Sequence, residues 1–91
     1  MENFIMIPTS TLDSTLPNKA ILLLGLLISN SKQTGYAYGR NQYYAEKLGC
    51  STRTITKLLN ILENFYYIKI EDRRSFKRRI YINQERLTTM N

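Results

Sequence analysis

The sequence predicts an α+β domain of three helices followed by a two-stranded antiparallel hairpin. Aliphatic residues repeat at helical spacing over residues 52–64, and a Gly-Cys-Ser turn separates them from a shorter helical pattern. Two alternating segments with a short polar link follow. Apolar residues three and four positions apart share one face of a helix, whereas strict alternation indicates a strand.

Length and composition fit one small domain. The chain has 91 residues, of which 43% are hydrophobic, enough for a single modest core. We expect residues 1–83 to form this domain, with an extended N-terminal arm over residues 1–15. Residues 84–91 show little pattern and are expected to be a C-terminal tail or the start of a linker.

The positive charge is confined to one part of the chain. The formal net charge is +6, and Lys19 and Lys32 are cancelled by Glu2 and Asp13, so the whole excess lies in residues 40–91. Such asymmetry is typical of a surface that faces DNA, RNA or an anionic membrane. A charged surface that serves only solubility explains the total equally well.

The residues that most chemistry needs are absent. The chain has no histidine and one cysteine, Cys50, so we expect no catalytic site, no metal site, no cofactor and no disulfide framework. The longest apolar run, Ile21–Ile28, is far shorter than the roughly 20 residues of a membrane span. No signal peptide pattern is present either, and we expect a cytoplasmic protein that is not an enzyme.

The N-terminal third predicts an arm, a helix and a short strand. Phe4–Pro8 is an apolar run ended by proline, which favours an extended segment. Pro17 fits the first turn of a helix that runs to about Asn30 and is apolar almost all round, as expected of a buried central helix. Tyr36–Tyr38 is long enough to pair as a short strand.

The next two helices are predicted with a tight turn between them. The first fits Asn41–Leu48, and Gly49 stands where helices commonly end in a left-handed residue. Ser51 is a favourable N-cap for a third helix, from Thr52 to about Asn64. Its core face is formed by Ile55, Leu58, Leu59 and Leu62.

Alternating residues after the third helix predict a hairpin. Tyr67–Glu71 and Lys77–Asn83 are the two strands, with Asp72–Phe76 as the turn. Helix, turn, helix and basic hairpin in this order define a winged helix-turn-helix fold, in which the N-terminus of the last helix protrudes. Such an end fits the major groove of duplex DNA, which is about 12 Å wide.

Two sets of residues are candidates for DNA contact. The polar side of the third helix suits base edges and phosphates, although any exposed helix has a polar face. The hairpin cations suit the phosphate backbone or a narrow minor groove, although edge cations also discourage sheet aggregation. The candidates are Ser51, Thr52, Arg53, Thr56, Lys57 and Asn60 on the helix, and Arg73, Arg74, Lys77, Arg78 and Arg79 on the hairpin.

Three segments carry a resemblance to a known family: Leu16–Ala20, Ala45–Ile55, and Leu62-Glu63 leading to Tyr67-Ile68. Together they resemble the N-terminal winged helix-turn-helix domain of plasmid and phage replication initiators, the RepA-type and DnaD-like group. The resemblance implies double-stranded DNA binding, a homodimer assisted by the N-terminal arm, and a role in the initiation of DNA replication. A transcriptional repressor shares the same pattern and remains an alternative.

Two positions depart from that family. Tyr66 stands where a glycine is usual, so we expect the third helix to end differently and to tilt the hairpin. Ile61 replaces a charged residue and, with Phe65 one turn later, is expected to form an exposed apolar patch. Phe4, Ile5, Ile61 and Phe65 are therefore candidates for an interface with a replisome or host protein.

Overall fold

A computed structural model describes residues 16–75 and 77–88, and it confirms the predicted α+β winged-helix architecture. The expected arm, including Phe4 and Ile5, lies outside the described residues, as does Phe76. The elements in chain order are α1 Asn18–Asn30, α2 Asn41–Leu48, α3 Thr52–Asn64, β1 Ile68–Glu71, β2 Arg79–Ile82 and α4 Gln84–Thr88.

Helix α1 is amphipathic rather than buried all round. Pro17 is the N-cap residue of α1 and has an extended conformation, with φ −63° and ψ 149°. The prediction placed it one position later, in the first turn of the helix. Leu23, Leu24 and Leu27 are completely buried, whereas the side of the helix that carries Leu22 leaves this residue 46% exposed. The expectation of a fully buried helix is therefore wrong for this side of α1.

The turn between α2 and α3 forms as predicted. Gly49 is left-handed, with φ 68°, and the N–H of Cys50 donates to the carbonyl of Ala45 at 3.0 Å, which closes the end of α2. Ser51 caps α3, because its Oγ accepts from the N–H of Thr54 at 3.1 Å. The bounds of α2 and the whole buried face of α3 agree with the prediction.

The sheet is a two-stranded hairpin extended by a single bridge. β1 and β2 pair antiparallel, with Ile70 opposite Ile80. Ile80 also exchanges both main-chain hydrogen bonds with Ala37, at 2.8 and 2.9 Å. The strand expected over Tyr36–Tyr38 is thus reduced to one bridge. Its effect is to hold the segment before α2 against the hairpin.

Helix α3 ends in the conformation that a glycine would normally adopt. Tyr66 has φ 66°, and its N–H donates to Glu63 O at 3.0 Å, while the N–H of Tyr67 donates to Leu62 O at 2.9 Å. These two bonds form a Schellman motif, and buried Tyr67 and Leu62 provide its hydrophobic contact. The expected alternative helix end is therefore wrong, since the side chain at 66 is accommodated in place.

Residues 84–88 form a short helix, α4, where a patternless tail was expected. The Arg86 N–H donates to Asn83 O at 3.1 Å, and the Arg86 Nε donates to Phe65 O at 3.0 Å. The Arg86 guanidinium also lies 4.4 Å from the centre of the Tyr67 ring. The contacts of Arg86 with Phe65 and Tyr67 hold α4 near the end of α3.

Candidate nucleic-acid interface

The polar face of α3 is open to solvent along its whole length. Thr52, Arg53, Lys57 and Asn60 are exposed, and the opposite side of the helix is buried in the core. Ser51 is already engaged, because its Oγ caps the helix and lies 3.0 Å from Thr54 Oγ1. The exposed side chains of Thr52, Arg53 and Lys57 therefore remain available for contacts at its N-terminal half.

Thr56 is committed to a contact between helices. Its Oγ1 accepts from Asn41 Nδ2 at 3.1 Å and lies 3.2 Å from the carbonyl of Thr52, to which it donates. The residue is exposed, but its hydroxyl connects α3 to the first turn of α2. Its predicted role at the DNA surface is thus joined by a structural one that sequence reasoning missed.

Arg78 differs from the other hairpin cations because it is half-buried. Its Nη1 donates to Asn41 Oδ1 at 2.8 Å and its Nη2 donates to Gly39 O at 2.6 Å. Burial is the main cause that lowers the pKa of the Arg78 guanidinium, and the positive charge of Arg73 contributes to the same effect. The geometry gives Arg78 a structural role that its place in a run of cations did not predict.

The remaining hairpin cations fall into two groups. Arg73 and Arg79 have partners: Arg73 Nη2 lies 2.8 Å from both carboxylate oxygens of Glu63, and the Arg79 guanidinium lies 5.1 Å from the Tyr36 ring centre. Arg74 and Lys77 are exposed, and no side-chain partner is seen for either among residues 16–75 and 77–88. These two are the cations best placed to meet an external anion.

The buried ring of Tyr44 lies close to Gly39 in the segment before α2. Its ring is fully buried, and a Cβ at Gly39 would lie 2.9 Å from the ring carbon Cζ and from the hydroxyl oxygen, so a glycine is needed there. Within the described part of the chain the buried hydroxyl has no hydrogen bond of ordinary geometry. Burial raises the pKa of Tyr44 to about 12, against the opposing effects of the Gly39 main chain and the Arg78 charge.

The expected apolar patch on α3 is not formed. Ile61 and Phe65 are both half-buried and pack against the core. The prediction of their exposure is wrong, because both side chains pack against the buried residues of the core. The large apolar side chains that are exposed in the described residues are Leu22, Tyr38, Tyr43 and Tyr66.

Four residues of this surface were not predicted from sequence. Gly39 and Arg40 precede α2, Asn41 is the first residue of α2, and Glu63 lies on α3. Their roles depend on contacts with residues 10 to 39 positions away, which periodicity does not reveal. One signal was present: an Arg-Asn pair at the start of a predicted helix, in the basic part of the chain.

In residues 16–75 and 77–88, no group of three or more Cys, Asp or Glu side chains could hold a metal ion. None of the helices in the same residues has the length and apolar character needed to cross a bilayer.

The fold and this surface define the class of protein. The family model of the helix-turn-helix domain matches residues 14–68, more than half of the chain. The chain therefore belongs to the helix-turn-helix domain family and is a DNA-binding domain of that class. The match covers α1, α2 and α3 and ends at the first residue of β1, so the hairpin lies outside it. Comparisons with curated proteins and with solved structures gave no significant match.

Proposed function

We propose that the domain binds double-stranded DNA sequence-specifically, with α3 in the major groove. The observation that supports this most is the division of α3 into a buried aliphatic face and an exposed polar face. Arg53 and Asn60 carry the side chains suited to bidentate contacts with guanine and adenine. Lys57 suits phosphate oxygens. Thr52 suits either a phosphate oxygen or a thymine methyl group.

The hairpin, or wing, supplies contacts to the DNA backbone in this proposal. Arg74 and Lys77 are exposed at the turn between β1 and β2, beside the partnered Arg73 and Arg79. Cations at such a tip neutralise phosphates without reading sequence. We assign binding and not catalysis to this surface, because its side chains offer charge and hydrogen bonds but no nucleophile paired with a base.

The experiment is selection of bound duplexes from a random pool, followed by affinity measurements on the selected and on random sequences. Arg53→Ala should narrow the ratio between the two affinities by about tenfold, the value of one bidentate contact. Arg74→Ala should weaken both duplexes by similar factors. If Arg53→Ala lowered the affinity for both sequences equally, α3 would not recognise the base sequence through Arg53.

The cellular process we propose is initiation of plasmid or phage DNA replication by a homodimer. The resemblance of the three segments between Leu16 and Ile68 to replication initiators supports this. The selected DNA should then contain two half-sites about 10 base pairs apart. A plasmid whose origin contains that site should be maintained only when this gene is supplied. A repressor would instead lower transcription from an overlapping promoter without supporting maintenance.

Docking of a replisome protein at Ile61 and Phe65 has little structural support. The half-buried positions of Ile61 and Phe65 leave little apolar area at that end of α3. The test is whether the immobilised domain retains a partner protein after nuclease treatment. Loss of that partner with Phe65→Ser, in a protein that still folds, would support docking at this end of α3.

A further inference from the structure

Two exposed tyrosines line a depression between α1 and α2. Tyr38 is 55% exposed and Tyr43 42%, and the depression has a volume of about 490 Å³. Leu26 of α1 also lines it, and exposed Leu22 lies one turn earlier on the same side of that helix. All of the described residues that line the depression belong to α1, to α2 or to the connection between them. The surface is therefore separate from α3 and the hairpin, to which the DNA contacts are assigned.

Hydrogen bonds of the connection between α1 and α2 hold this depression in shape. The N–H of Tyr38 donates to Asn30 Oδ1 at 3.1 Å, which fixes Tyr38 to the end of α1. The N–H of Gly35 donates to Ser31 O at 2.8 Å and closes the turn that follows the helix. The rings of Tyr36 and Tyr38 meet edge to face, with their centres 6.2 Å apart. An aromatic surface that is already ordered loses little conformational freedom when a partner binds, which favours binding.

The charge around the depression is positive. Lys32 and Lys47 are exposed and line it, and no acidic residue is among the described residues that do so. Glu46 of α2 lines an adjoining depression instead. Neither lysine has a carboxylate partner in the part of the chain that the structure describes. The Lys47 Nζ lies 5.5 Å from the centre of the Tyr43 ring, so positive charge and exposed aromatic surface occur at one place.

We propose that this depression docks a short acidic peptide segment of another protein. An aromatic or aliphatic side chain of the peptide packs between Tyr38 and Tyr43, because tyrosines are among the residues that contribute most to binding at protein interfaces. Carboxylates of the peptide lie beside Lys32 and Lys47, where the opposite charges are complementary. The exposed side-chain amide of Gln33 has both a donor and an acceptor for the peptide main chain. This docking is additional to DNA binding and does not depend on it.

An acidic peptide fits the depression better than a second copy of this chain or a single-stranded nucleic acid. A second copy would bring a net charge of +6 to a surface that is already positive. Nucleobases stack on open aromatic faces. Lys47 lies over the Tyr43 ring, and the Tyr44 ring meets the same ring edge to face with the two centres 5.1 Å apart. Tyr43 therefore offers less open ring face for stacking than its exposure alone indicates.

The test selects short random peptides, displayed on phage, for binding to the folded wild-type domain. We expect the enriched peptides to combine a net negative charge with at least one aromatic or aliphatic residue. A labelled enriched peptide is then titrated with wild type and three variants. Tyr43→Ser should weaken its binding roughly tenfold or more. Lys47→Gln should weaken it about threefold and reduce its dependence on salt. The control Lys57→Gln makes the same charge change on the exposed face of α3 and should alter the affinity by less than about twofold.

Circular dichroism confirms that each variant is folded, and Tyr38→Ser replaces Tyr43→Ser if the latter unfolds. Failure to enrich any peptide that depends on these tyrosines would overturn the proposal. Peptides lost with Lys57→Gln but not with Tyr43→Ser would bind the α3 surface and would also overturn it. A parallel arm titrates a single-stranded oligonucleotide and a duplex. Loss of either with Tyr43→Ser or Lys47→Gln, to the extent seen with Arg74→Ala, would make nucleic acid the occupant and overturn the peptide assignment.

Discussion

The guanidinium of Arg78 donates to the side-chain carbonyl of Asn41 at 2.8 Å, across 37 positions of sequence. The same amide donates to Thr56 on α3 at 3.1 Å. One side chain at the start of α2 thus contacts both the wing and the helix assigned to DNA reading. Since these two surfaces must meet the same duplex, Asn41 and Arg78 set the geometry on which joint binding depends.

Arg78→Gln should destabilise the fold by about 1.5–3 kcal/mol, because hydrogen bonds from a charged donor to half-buried acceptors are lost. Arg74→Gln removes the same charge from an exposed position and should change stability by less than about 0.5 kcal/mol. Urea unfolding of both variants measures the difference. Equal stability of the two would show that Arg78 has no structural role.

Glu63→Gln should strengthen duplex binding several-fold by releasing Arg73 and removing a negative charge from beside the wing. Because Arg73 is 47% exposed and Glu63 28%, losing the pair should cost less than about 1 kcal/mol of stability. The matched control is Glu85→Gln, which makes the same charge change on α4. If both variants raised affinity equally in a fluorescence titration, net charge alone would account for the gain.

Tyr66→Gly should stabilise the domain by about 1 kcal/mol, because residue 66 has φ 66° and glycine adopts this conformation without a Cβ clash. The exposed Tyr66 ring loses little by removal. Tyr66→Ala keeps the strained backbone and should remain near the stability of wild type. Thermal unfolding that moved equally with glycine and alanine would rule out backbone strain as the cause.

Tyr44→Phe should change how stability depends on alkaline pH. Burial raises the pKa of Tyr44 from 10.0 to about 12 in the folded protein. Below pH 10 the hydroxyl is protonated in both folded and unfolded chains. Between pH 10 and 12 it ionises mainly in the unfolded chain, so wild type should lose up to about 1.4 kcal/mol more per pH unit than Tyr44→Phe. Parallel losses in urea unfolding series of the two proteins would contradict this.

Sequence signals between neighbouring residues are sufficient to predict the helix-turn-helix core. Gly49 and Ser51 define the end of α2 and the start of α3 through backbone conformation and capping, and both act between neighbours in sequence. The buried face of α3 follows from periodicity alone. These features need no knowledge of the partner elements, which is why the sequence predicts them.

The parts that escaped prediction depend on tertiary contacts. Helix α4 has only five residues and is fixed by the contacts of Arg86 with Phe65 and Tyr67. The position of Arg78 in a run of cations carries no mark of its burial, which results from the Ala37–Ile80 bridge that brings Gly39 to the wing. The sequence therefore predicts the hairpin cations as a set but not the contacts that distinguish Arg78 from the others.

Salt-dependent association with duplex DNA tests the central claim most directly. Fluorescence anisotropy of a labelled selected duplex is measured over a range of salt concentrations for wild type and Arg74→Gln. The logarithm of the association constant should fall linearly with that of salt, with a slope of roughly −0.9 per neutralised phosphate, and Arg74→Gln should reduce the slope by about 1. No salt-dependent association of wild type at low ionic strength would contradict DNA binding by this surface.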